Sequence, residues 1–108
     1  MSMDQDPFAA IGNSIVESLQ GLRWRTAWLW VAIPEPGVMT RRQGYVDDSD
    51  GVEKDFVLRN PLRVMDAVEA HQVETSAKGF PAWSGLTFHI DSSGEFNVEY
   101  SYEQPKGR

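Results

Sequence analysis

The chain has 108 residues, no cysteine and a formal net charge of −6. That length makes a single domain, residues 1–108, that can bury a core without staples. Without cysteine there is no disulfide, thiolate metal site or thiol nucleophile, which fits a reducing compartment.

The N-terminal "MSMDQDPF" is acidic and lacks the basic and apolar regions of a signal peptide. Asp6-Pro7 reads as a helix start, with a carboxylate at N-cap and proline at N1. Phe8, Ile11, Ile15, Leu19 and Leu22 then recur at three- and four-residue steps and form one apolar stripe. Gly21 supplies the stop. The next stretch, Trp24 to Ile33, reads as a strand whose two faces are both apolar: Ala27, Leu29, Val31 and Ile33 on one, Trp28, Trp30 and Ala32 on the other. Strands of small antiparallel sheets usually keep one face polar, so the second apolar face needs a cover or a use.

Pro34 to Gly37 reads as a turn. A second strand is expected from Val38 to Val46, an acidic turn at Asp47 to Gly51, and a short third strand between Glu53 and Leu58. Asn60-Pro61 repeats the capping logic of the first helix. Leu62, Met65, Val68 and Gln72 lie on one stripe, flanked by Val64 and Ala67, and Gly79 suits the left-handed C-cap position before Phe80-Pro81. The C-terminal end reads as a hairpin. Leu86, Phe88 and Ile90 alternate with Thr87, His89 and Asp91; beyond "SSG", Phe96, Val98, Tyr100 and Tyr102 alternate with Asn97, Glu99, Ser101 and Glu103. The order α-β-β-(β)-α-β-β predicts an α+β fold: a two-layer domain with an antiparallel sheet of four to five strands and two helices on one face.

The longest apolar run, Ala27 to Ile33, is far short of a membrane span, so no membrane association and a cytoplasmic location are expected. Charge is uneven: residues 43–59 carry five acids against two bases, whereas residues 1–42 balance at four and four. An acidic surface repels nucleic acid and favours basic partners, so no direct nucleic-acid binding is expected. His71 and His89 stand on different elements with no zinc-site spacing. The "DDSDG" acids are not at the alternate positions of a calcium loop. No serine sits in a nucleophile elbow and no cofactor motif occurs, so the chain does not read as an enzyme.

If Leu29, Val31 and Ile33 face the helices, Trp28 and Trp30 lie on the opposite face, beside His89, Asp91, Asn97, Glu99 and Glu103. An exposed aromatic patch with a charged rim marks a binding site. Two other arrangements remain open: tryptophans inside and aliphatics outside, or the loop "RRQGYVDDSDG" folded over the rings.

The chain resembles the YezG-like family of bacterial antitoxins, immunity proteins of polymorphic toxin systems. The resemblance rests on "IGNSIVESL" leading into "WRTAWLWVAI", and on "PAWSGLTFHIDSSGEFNVEYSYE". There Trp83, Leu86, Thr87, Asp91, Gly94, Phe96, Asn97, Glu99, Tyr100, Tyr102 and Glu103 match the family's C-terminal signature. Relatives are longer and more acidic in the middle. The resemblance implies a bacterial antitoxin that binds and neutralises a cognate protein toxin, commonly a basic nuclease domain, without catalysis or cofactor. Trp28 and Trp30 would anchor the contact, with His89, Asp91, Asn97, Glu99 and Glu103 as rim and Asp47 and Asp48 as further candidates. The rival expectations are a self-associating structural domain, a homodimer through two open sheet faces, and a small enzyme using Glu99 and Glu103.

Overall fold

The strand with two apolar faces, β1 (Trp24–Glu35), occupies the middle of the sheet. The structure is a computed structural model that describes residues 7–35, 38–80 and 83–102. In chain order α1 (Pro7–Ser18) precedes β1, followed by β2 (Val38–Asp47), β3 (Glu53–Lys54), α2 (Pro61–Ala77), β4 (Gly85–Asp91) and β5 (Phe96–Ser101). All neighbouring strands pair antiparallel, in the order β3-β2-β1-β4-β5. This is the expected α+β fold with five strands. A central strand is flanked on both edges, which favours the β-branched and aromatic residues found in β1.

Side-chain parity divides the sheet cleanly. Ala27, Leu29, Val31 and Ile33 are buried with Leu86, Phe88 and Ile90 against Ile11, Ile15 and Leu19 of the first helix region and Val64 and Val68 of α2. Both helices therefore cover one face, and they pack against each other. Gly12 lies in α1 against the sheet, where an added Cβ would stand in ordinary contact, 3.6 Å from the Phe88 ring. Phe8 extends this contact with rings 6.3 Å from Phe88 and 5.9 Å from Phe96.

Four local expectations are corrected. Asn60 is the residue before α2, but it adopts the left-handed conformation (φ 53°, ψ 51°) and makes no side-chain cap. Left-handed backbone suits asparagine among the non-glycine residues, so it serves as a turn rather than a cap. The buried stripe of α2 is centred on Val64 and Val68, with His71 and Gln72 half-buried, while Leu62 is 78% exposed. In α1 the stripe holds through Leu19, but Leu22 lies beyond the turn and is exposed. The third strand is also shorter than expected; after Lys54 the chain leaves the sheet so that Phe56 and Leu58 can enter the core.

The far end of α2 closes as the sequence implies. Phe80 N–H donates to the Thr75 carbonyl and Gly79 N–H to that of Ser76, a Schellman arrangement with Gly79 at φ 87°. Trp83 then folds back: its indole N–H donates to Thr75 Oγ1 at 2.9 Å, and Gln72 Nε2 donates to its carbonyl at 2.8 Å. The expected roles of Asp6, of Pro36-Gly37 in the turn, of Pro81 and of Glu103 lie outside the described residues. Among the described residues no helix is long and apolar enough to cross a membrane.

Candidate functional site

The face of the sheet turned away from the helices carries Thr26, Trp28, Trp30 and Ala32 of β1. Trp28 and Trp30 both lie there, half-buried, two residues apart and so about 7 Å apart along the strand. Neither is part of the buried core. The aliphatic face points inward and the indole face outward.

The neighbours on this face follow from register. On one side Trp28 is opposite Gly44 and Trp30 opposite Arg42; on the other they are opposite His89 and Thr87. One strand further, Asn97 pairs with His89 and Glu99 with Thr87. Antiparallel partners point to the same side, so these residues share one surface. The sheet thus brings together five of the residues singled out from sequence: Trp28, Trp30, His89, Asn97 and Glu99. His89 Nε2 stands 3.6 Å from Glu99 Oε1, an exposed contact that becomes an ion pair only when the imidazole is protonated.

The two indoles are held differently. Gly44 is buried beneath Trp28: a Cβ added there would meet the ring's Cζ2, Cε2 and Nε1 at 3.0–3.1 Å. Absence of a side chain at Gly44 lets the indole cross β2 and donate its N–H to Glu53 Oε2 at 2.6 Å. Trp30 instead lies under a cation, with the Arg42 guanidinium carbon 5.8 Å from the ring centroid. The segment after Arg41 therefore covers these rings in part, through Arg42, Gly44 and Glu53, without enclosing them.

The acidic candidates gather at one end of the sheet. Asp48 N–H donates to the Arg23 carbonyl and Ser92 N–H to that of Arg25, so both strand-connecting turns dock on the start of β1. Asp47 and Asp91 have the same local task. Asp47 Oδ1 accepts from Ser49 N–H and Oγ, and Lys54 Nζ donates to its Oδ2 at 3.0 Å. Asp91 Oδ1 accepts from Ser93 N–H and Oγ and from Glu95 N–H. Hydrogen bonds from these serines hold both carboxyl groups below the ordinary carboxylate range, with Lys54 adding to the effect at Asp47. Asp48 pairs with Arg25 at 3.3 Å. Asp47 and Asp91 are thus first of all turn-forming groups.

An open depression of about 400 Å³ adjoins this end, lined by Thr26, His89, Ile90, Asp91, Glu95, Phe96 and Asn97. It joins three of the expected residues to Glu95 and Thr26, which sequence reading did not single out. Arg42, Gly44, Thr87 and Glu53 were missed as well. The isolated glycine within a strand was the available signal, since such a residue marks a close approach. Among the described residues no three His, Asp or Glu side chains cluster as a metal site. The surface offers aromatic stacking, hydrogen bonds and carboxylates. Compared with known proteins, the chain matches no family model and no curated protein.

Proposed function

We propose that this protein is an immunity protein of the YezG-like kind, which binds and neutralises a cognate toxin domain through the helix-free face of its sheet. The observation that carries this reading is the outward placement of Trp28 and Trp30 side by side on the central strand. Tryptophan is prominent among the residues that dominate interface energetics. Two indoles held by neighbouring strands also lose little freedom on binding. His89, Asn97 and Glu99 form a polar rim on the β4–β5 side. The net charge of −6 and the acidic turns favour encounter with a basic surface, such as the substrate groove of a nuclease domain. The resemblance of "PAWSGLTFHIDSSGEFNVEYSYE" to the antitoxin signature, read from the sequence, points the same way.

Co-expression with a toxin encoded by a neighbouring reading frame tests it. Trp30→Ala combined with Glu99→Lys is expected to abolish protection while circular dichroism and thermal unfolding keep their cooperative form. Full protection by that double variant refutes the assigned face.

One observation favours a second reading, self-association. Among the described residues β5 is an edge strand with no outer partner, and Phe96 on it is 50% exposed. Edge strands are ready templates for pairing. A dimer of the purified protein that persists in the Trp30→Ala and Glu99→Lys variant supports edge pairing as a separate contact.

A further inference from the structure

The two tryptophans of the helix-free face are not equivalent, and the difference specifies what a partner must bring. Trp30 already holds a guanidinium, that of Arg42, 5.8 Å from its ring centroid. Trp28 is laid across β2 with its N–H donated to Glu53 at 2.6 Å, and among the described residues no ring or cation is recorded over it. Glu53 is exposed, and one of its carboxylate oxygens accepts the indole proton. Donation to a carboxylate enriches the indole ring in electron density, which strengthens its attraction for a cation. The same carboxylate stands at the ring's edge, where it can accept an N–H from a planar cation lying on the ring. Aromatic face and carboxylate together match a guanidinium better than an ammonium, because the guanidinium stacks and donates from one plane.

The geometry points to Trp28 and Glu53 as a seat for an arginine side chain of a protein partner. This rests on the reading of the helix-free face as a protein-binding surface and adds the chemistry of the partner's anchor. Charge complementarity supports it: the chain carries −6 overall, and the seat pairs an aromatic ring with an unneutralised carboxylate. Among the described residues no lysine or arginine is recorded in a salt bridge to Glu53, in contrast to Asp47, Asp48 and Asp50. Arg42 on Trp30 is the internal precedent for the same pairing on the same face. Neither partner sits deep in the protein, so the contact is of the exposed cation–π class, strengthened by burial when a partner docks.

The test uses small probes on the full chain. The indole N–H resonances are followed by nitrogen–proton correlation spectra during titration with N-acetyl-arginine amide, N-acetyl-lysine amide and the neutral isostere N-acetyl-citrulline amide. The arginine probe is expected to move the Trp28 resonance, with apparent affinity about two- to five-fold above that for citrulline. Glu53→Gln, which keeps the shape of the side chain, should remove most of that preference. Arg42→Gln should leave the Trp28 response intact and make Trp30 respond as well. Equal responses to arginine and citrulline, equal responses to arginine and lysine, or a preference unchanged in Glu53→Gln would each overturn the seat. Failure of toxin binding alongside an intact arginine response would refute the immunity reading and leave the seat standing. A flat arginine titration with toxin still bound would do the reverse.

Discussion

Trp28 and Gly44 are cross-strand partners in which one residue's missing side chain makes room for the other's ring. An alanine methyl at Gly44 would lie 3.0–3.1 Å from the indole, closer than packed carbon atoms tolerate. The atoms it meets are the far end of a side chain, so the ring can yield by a few tenths of an ångström, which disturbs its short bond to Glu53. Gly44→Ala is therefore expected to weaken the protein by about 1 kcal/mol, the low end of overpacking costs. The Trp28 N–H signal should move towards that of a solvent-exposed indole. Urea unfolding and the same correlation spectrum check both effects, and an unmoved indole signal would show that Gly44 does not set the ring's position.

The tryptophans should separate by role when truncated. Trp83 is 3% exposed, sits 5.3 Å from the Tyr100 ring and bonds Thr75. Trp83→Ala should cost about 3–5 kcal/mol, the range for large-to-small changes in a core. Trp83→Phe should cost less, since it keeps most of the packing and loses chiefly the indole hydrogen bond, worth about 1 kcal/mol. Trp28→Ala and Trp30→Ala remove half-buried rings from the face opposite both helices and should cost clearly less than Trp83→Ala. Denaturant midpoints of the variants, measured side by side, decide the order. A Trp30→Ala loss equal to that of Trp83→Ala would make Trp30 a core residue in energetic terms.

Much of this arrangement was legible in the sequence where periodicity is local. The stripe Phe8–Ile11–Ile15–Leu19 and the alternation around Phe88 and Val98 fixed helix, hairpin and inner faces, because each depends on spacing within one element. The helix stripe on α2 was misread at one end. Val68 belongs to the stripe through Leu62 and to the one through Val64, and only the tertiary approach of α1 decides between them. Partners across the sheet were illegible for a different reason. Glu53 lies 25 residues from Trp28 in sequence, and their meeting depends on the pairing of β1 with β2 and β2 with β3. By contrast, the sequence already marked an acidic turn at Asp47, and the side-chain bonds that close it and the turn at Asp91 could have been read from the serine two residues on, since aspartate side chains commonly close such turns. Taking Asp91 as a rim acid and Asp47 as a further contact candidate overlooked the hydrogen bonds both already accept.

Those two turns give the protein a specific response to acid. Asp47 and Asp91 both have carboxyl groups held below the ordinary value of 3.8 in the folded state, chiefly by hydrogen bonds from Ser49 and Ser93. A depressed folded-state pKa contributes stability that is complete above the unfolded value and is lost as the pH falls below it towards the folded value. Lys54 works at the opposite limit. Its hydrogen bonds to Asp47 and Asp50 raise it above 10.5, so its contribution is complete below that value and is lost as the pH rises through the raised one. Asp47→Asn and Asp91→Asn should each be less stable than the parent at neutral pH, and the difference should shrink as the pH falls below 3.8. Asp47→Asn should weaken the alkaline limb as well, because it removes the charge of the first partner of Lys54 and leaves only Asp50, whereas Asp91→Asn should retain it in full. Thermal unfolding of the three proteins across the pH range separates these outcomes. A difference between parent and Asn variants that stayed constant down to strong acid would show that the hydrogen bonds, and not the charges they stabilise, fix these turns.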